Sequence, residues 1–435
     1  MNPSKVSSRC HRSARISATV LFLVALTLAV HGQNRRRVTP TNAVVTHQFS
    51  WMPPHTNHFV LTNLWVTIAG SAEEPGSADG SGADARFSQP MGIAIDEADN
   101  VYIADTANQT IRRMSPNGRK WIVTTIAGRP GLRGSADGTN GAARFNEPAG
   151  IALGKAGALF VVDSLNHTIR KIARSGTNWV VTTIAGLAGT NGFRDGTNHI
   201  ARFNGPLGIA ADRSDTLYVA DTLNQTIREI KPIGTNWVVK TIAGSPLHPG
   251  KTDGVWLAAQ FNQPTGVASD TSGNVYVADS MNSTIRQLRP FGSNWMTRTI
   301  AGFALLSGST DGANFWARFA APSGISIDNS NNLYVTDFGN HTIRKISPVG
   351  TNWIVSTWGG SAGASGTNEA SGIYARFNSP RAIAVSTTGT NYYVADTLNQ
   401  TIREGGRSGV LTNITLGGWV QTGIGIRAGG PVPAH

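Results

Sequence analysis

Apolar and β-branched residues fall in short runs separated by polar turns, and the same arrangement returns along most of the chain. Leu207–Asp212 (LGIAAD), Leu217–Asp221 (LYVAD), Thr226–Ile230 (TIREI) and Asn236–Gly244 (NWVVKTIAG) are four such runs, rich in Val, Ile, Thr and aromatics. The segments between them, RSDT, TLNQ and KPIGT, have turn chemistry, and no helical period is sustained over three turns. The pattern predicts four antiparallel strands. The unit recurs six times: Asp105, Asp163, Asp221, Asp279, Asp337 and Asp396 are spaced 58, 58, 58, 58 and 59 residues apart. Phe87, Phe145, Phe203, Phe261, Phe319 and Phe377 keep the same interval. Four-stranded units repeated at a fixed interval predict an all-β fold, a six-bladed β-propeller of four-stranded antiparallel blades.

The repeated residues, P-x-G-I-A-x-D followed by V-Y-V-A-D-x-x-N-x-x-I-R-K-I, resemble the NHL repeat. Asn166-His167-Thr168-Ile169-Arg170-Lys171 and Asn340-His341-Thr342-Ile343-Arg344-Lys345 match its central segment closely. The resemblance covers residues 61–418. It implies a propeller that serves as a protein- or RNA-binding platform, as an envelope sensor or, in one branch, as a metal-dependent amidating lyase. Fold alone does not choose among these.

At the start of the chain, Lys5, Arg9, Arg12 and Arg15 precede the uncharged run Ile16–Val30, and Val30-His31-Gly32 offers a cleavage point. Residues 1–32 therefore read as a secretory signal peptide. Fifteen apolar residues fall short of the roughly 20 needed for a span, so no membrane span is expected after cleavage. Residues 33–58 read as an irregular lead-in, 59–418 as the propeller and 419–435 as a tail. Phe59–Gly70 resembles a fourth strand that arrives before any first strand, as in Asn178–Gly186. The expectation is that it closes the ring and so removes an open edge. Val410–Gly418 also has fourth-strand character and is expected outside the ring or on one of its faces.

Composition fits an exported β protein. Charged residues make up 14%, below the roughly 25% of average domains, and 50 glycines supply turns. The single cysteine, Cys10, precedes the apolar run, so the mature chain has no thiol for disulfides or metal. Losing the leader's four basic residues lowers the net charge from +12 to +8, three units of which are Arg35, Arg36 and Arg37. Many other arginines are committed to the repeat, so a nucleic-acid partner is not expected.

Arg112, Arg170, Arg228, Arg286, Arg344 and Arg403 each follow the unit's aspartate by seven residues. Six half-buried Asp–Arg pairs with an architectural role are expected. In the long loops between units, Asp79, Asp137, Asp195, Asp253, Asp311 and Glu369 also keep the interval. One or two acids per loop are too few for calcium, and Asx turns with a left-handed glycine are expected. In the A-R-F segment, Phe is expected to wedge between blades and Arg to reach the loop acid. Asn108, Asn166, Asn224, Asn282, Asn340 and Asn399 stand in N-x-T, and six at one structural position read as turn caps rather than glycosylation sites.

Function is sought where repetition fails. His167 and His341 lie in opposite blades, too far apart to share a zinc ion. The inner strands carry small and apolar residues, no catalytic motif is present, and the metal-binding histidines of the lyase branch have no match. The sequence therefore reads as an exported, non-catalytic scaffold without cofactor, monomeric, secreted or periplasmic. It would bind a protein or glycan through its long-loop face, with Phe193, His199, His248, Trp256, Phe315, Trp316 and Tyr374 as contacts. The alternative is an envelope lyase or lactone hydrolase with calcium or zinc at the channel mouth.

Overall fold

The computed structural model describes the backbone of residues 43–428 and the side chains of residues 63–406. The signal-peptide reading of 1–32 lies outside the described residues. The chain divides into two compact units, Thr56–Ile414 and a second one made of Met1–His55 with Thr415–His435.

The first unit is a six-bladed all-β propeller. Each blade has five antiparallel strands, not the four expected. The inner four follow the sequence pattern: in the fourth blade they are Pro264–Ser269, Val275–Asp279, Thr284–Phe291 and Asn294–Ala301. The fifth is the two-residue strand Gly254–Val255, which pairs with Thr297 and Met296 on the outer edge. It comes from the interblade loop. The loop leaves the preceding blade's fourth strand, runs along the outer edge of the next blade, makes a 3₁₀ turn and returns to the axis. A two-residue ladder has no hydrophobic alternation to read, which is why sequence pattern does not show it.

The sixth blade is assembled from both ends of the chain. Its strand order from the axis is Ala382–Val385, Tyr392–Asp396, Thr401–Ala428, Ala43–Ala69 and Ala370–Ser371. The N-terminal strand thus takes the fourth place and closes the ring. Val410–Gly418 is not an extra strand: it continues the third strand, which runs unbroken to Ala428. The closing strand starts at Ala43, inside the segment read as irregular, and is the neighbour of the extended third strand in the sheet.

The core lies between blades. Each cluster joins two neighbouring sheets, as where Tyr102, Ile111 and Ile126 of the first meet Phe145, Ile172 and Trp179 of the second. A T-shaped aromatic pair marks most junctions: Tyr102–Trp179 at 6.1 Å, Phe160–Trp237 at 5.5 Å, Tyr218–Trp295 at 5.8 Å and Tyr276–Trp353 at 5.7 Å. In the closing blade Trp65 stands where four of the other blades place Val and the fourth blade places Thr297. It is fully buried, 5.2 Å from Phe377, and Gly359 and Gly405 leave the room it fills: a Cβ on either would lie 2.6 Å from its ring.

Candidate functional site

Register within each blade makes a clamp. Val219 pairs with Arg228 and Asp221 with Thr226 across the second and third strands, so the two charged side chains meet at one end of the hairpin. Arg228 Nη1 donates to Asp221 Oδ2 at 2.7 Å and to Arg202 O at 2.9 Å; Nη2 donates to Asp195 Oδ1 at 2.7 Å. The guanidinium lies 5.1 Å from the centre of the Phe203 ring. Asp221 Oδ1 accepts from Asn204 N and Oδ2 from Asn224 Nδ2, both at 2.8 Å. Asp221 and Arg228 are fully buried rather than half-buried, because the interblade loop covers them. Burial pushes the carboxyls of Asp105, Asp279, Asp337 and Asp396 up to about 6, opposed by the arginine and the hydrogen-bond donors around each.

Asp105–Arg112, Asp163–Arg170, Asp279–Arg286, Asp337–Arg344 and Asp396–Arg403 repeat the pair at 2.6–3.1 Å. In five blades the arginine also bridges to the loop acid: Asp79, Asp137, Asp195, Asp253 or Asp311. That acid is held by the fourth strand as well. Thr241 N and Oγ1 both donate to Asp195, and this, rather than an Asx turn, pins the fifth strand. Glu369, one methylene longer, accepts from Thr67 N at 2.7 Å. The arginine of A-R-F does not generally reach the loop acid: Arg144 donates to Gly141 O and Ala143 O, and only in the first unit does Arg86 pair with an acid, Glu74. The N-x-T asparagines have their amides engaged, as Asn224 Nδ2 donates to Gly192 O and Asp221 Oδ2.

His167 and His341 each occupy a left-handed position, φ +57° and +58°, after the 3₁₀ turn between strands two and three. Each Nδ1 accepts a backbone N–H from the next blade, from Gly205 at 3.1 Å and Ser379 at 3.0 Å. Gln109, Gln225 and Gln400 do the same at the equivalent places. Both histidines thus serve as interblade acceptors, and burial lowers their pKa. Among the described residues no three His, Cys, Asp or Glu side chains converge as metal ligands.

The rim residues are exposed and spread round the ring. His199, Trp256, Phe315, Trp316 and Tyr374 lie in the 3₁₀ turns that follow the fifth strands, and Phe193 and His248 lie earlier in their loops. Phe315 and Trp316 meet, with ring centres 5.0 Å apart; the other five stand in loops of different blades or at different points of one loop. Trp256 has φ +54°, where sister blades place Asn140, Asn198 and Asn314 at +48° to +49°. Those asparagines tie the turn to the neighbouring hairpin: Asn198 Nδ2 donates to Asn236 Oδ1, and its Oδ1 accepts from Trp237 N. Trp256 gives up that tie for one bond, Nε1 to Thr241 O at 3.1 Å. It forms one wall of a groove between the third and fourth blades, with Glu229, Lys231, Lys240 and Trp295.

The axial channel encloses about 380 Å³ and is lined by all six inner strands. Its residues are small, aliphatic or hydroxylic except for Arg381, which sequence reading missed. The signal was available: in Pro380-Arg381-Ala382 alanine replaces the glycine of P-x-G, and x is charged only in this unit of the repeat.

An NHL repeat model matches residues 261–288 and 319–346. NHL repeat-containing protein 2 of Homo sapiens is 28% identical over 328 residues, covering 66% of this chain and 43% of its own length. The chain thus spans less than half the length of that relative. Among solved structures, a Bacteroides thetaiotaomicron protein of unknown function is similar at TM-score 0.60 and 22% identity, with 80% of this chain and 76% of that one covered. An auxiliary nutrient binding protein from Bacteroides ovatus is similar at TM-score 0.59 and 14% identity, with 81% and 77% covered. At these identities the likeness is one of fold.

Proposed function

Since the chain is an NHL-repeat β-propeller, we propose that it is an exported recognition scaffold that binds a protein or glycan partner through its long interblade loops where they cross the outer rim. The observation that carries this reading is Trp256. A bulky residue with φ near +54° is strained, and such strain persists where function retains it. Three sister blades show that Asn fits the place with two hydrogen bonds more useful to the fold. Trp256 is 45% exposed beside charged groove walls, an arrangement suited to an aromatic anchor. The reading needs no cofactor and no catalytic residue, and it places a monomer outside the cytoplasm.

The test installs the sister residue. Trp256→Asn is expected to fold with unchanged or higher melting temperature and to lose binding on a glycan array or to purified envelope proteins. A variant that keeps every interaction of the parent refutes the reading. Plasma mass spectrometry on protein dialysed without chelator addresses chemistry separately: one equivalent of calcium or zinc per chain would redirect the reading to a metal-dependent lyase or lactone hydrolase.

A further inference from the structure

The position after the inner-strand proline is Met91, Ala149, Leu207, Thr265 or Ser323 in five blades and Arg381 in the sixth. A second departure faces it. Where Thr106, Thr222 and Thr397 donate to the next blade's proline carbonyl at 2.7–2.8 Å, the fifth blade has Phe338. Arg381 Cζ lies 4.4 Å from the centre of that ring. Both residues stand where the inner strands begin, at the long-loop mouth of the channel.

The six clamp arginines each have a buried carboxylate. Among the described residues Arg381 has no acidic partner and its side chain donates no hydrogen bond, while burial lowers its pKa. A partly desolvated cation without a counter-ion opposes folding, and five neutral residues fill the same place in sister blades. Beyond the stack on Phe338, folding gives no reason for it. The channel's volume suits a small molecule, and Ser323 and Ser326 add hydroxyls to its aliphatic wall. One planar fork, fixed on an aromatic face, matches the two oxygens and single charge of a carboxylate; the second charge of a dianionic phosphate would meet no further cation among the channel-lining residues.

We propose that the channel mouth binds the carboxylate of a small organic acid, with Arg381 as its fork and Phe338 as the platform that holds the fork. Calorimetry on the full chain at low salt would use D-glucuronate, D-glucose and inorganic sulfate as probes. Expected are saturable heat with glucuronate, none with glucose, and affinity at least about tenfold weaker in Arg381→Thr. Phe338→Thr, which installs the sister residue and so keeps the fold, is expected to weaken glucuronate several-fold by releasing the fork. The proposal is overturned if the parent shows no heat with glucuronate at millimolar concentration, if folded Arg381→Thr binds as the parent does, or if sulfate binds better than glucuronate. Loss of fold in Arg381→Thr leaves the glucuronate–glucose comparison and Phe338→Thr to decide.

Discussion

Replacing His167 and His341 by glutamine should remove part of the protein's acid sensitivity without changing its stability near neutral pH. Each Nδ1 accepts a backbone N–H, so the imidazole is neutral with its proton on Nε2. Protonation would set an N–H against an N–H. Burial depresses both pKa values, so the folded state prefers the neutral ring; the stabilisation is present above about 6.5 and is lost as pH falls through the lower folded value. A net hydrogen bond contributes about 0.5–1.5 kcal/mol, and both rings are half-buried, so the two together contribute toward the lower end of about 1–3 kcal/mol. The buried aspartates act in the opposite sense. With carboxyls pushed up to about 6, their contribution is present below about 4 and is lost as pH rises through about 6. Subtracting parent from double variant cancels that part. Melting curves followed by near-ultraviolet circular dichroism between about pH 8 and about pH 5 should coincide at the alkaline end and separate by a few degrees at the acid end, the variant melting higher. Parallel curves, or a variant that loses more on acidification, would refute the acceptor role.

Removing one side of a buried clamp leaves a buried charge: Arg228→Met is expected to cost about 3–5 kcal/mol by denaturant unfolding. Asp195→Ala, at the half-exposed arm, should cost about 1–2 kcal/mol and speed amide exchange at Gly196 and Thr197, which the clamp holds to the fourth strand. Gly208→Ala would put a Cβ 2.0 Å from Thr265 O and is expected to destabilise by at least about 1–3 kcal/mol, with unchanged stability counting against the tight inner ring. Trp65→Ala should cost about 3–5 kcal/mol, and proteolysis should then cut first in the closing strand rather than in blades one to five.

The blades were legible because they repeat: spacing locates four strands, and a seven-residue offset across a hairpin brings Asp221 to Arg228. The partner of the other arm was not: Asp195 keeps the interval, but its loop's course along the outer edge leaves no hydrophobic alternation, and its strand is two residues long. Nor was the burial of the pair, which depends on that same loop. For the A-R-F arginines the expectation failed because the loop acid is already occupied by the third-strand arginine. The positions flagged as irregular proved mixed: His167 and His341 substitute for glutamine in an architectural bond, whereas Trp256 abandons one.

Departures from the repeat cluster where the fifth and sixth blades meet, because that seam packs a strand from the other end of the chain. Some of them compensate one another in volume. Trp65 is large where Val is usual, Gly359 and Gly405 are small where Ala and Ile, Leu or Met are usual, and Trp358 and Tyr392 pack edge to face at 5.8 Å beside them. Arg381 and Phe338 belong to no such exchange. Their place is the mouth of the channel, where no strand is added; the fifth blade lacks the Thr-to-proline-carbonyl bond of sister junctions, and Thr336 Oγ1, two residues earlier, donates to Arg381 O at 3.1 Å instead. Ring closure thus accounts for the aromatic seam and leaves the stacked, acid-free arginine as a residue whose retention a ligand can explain.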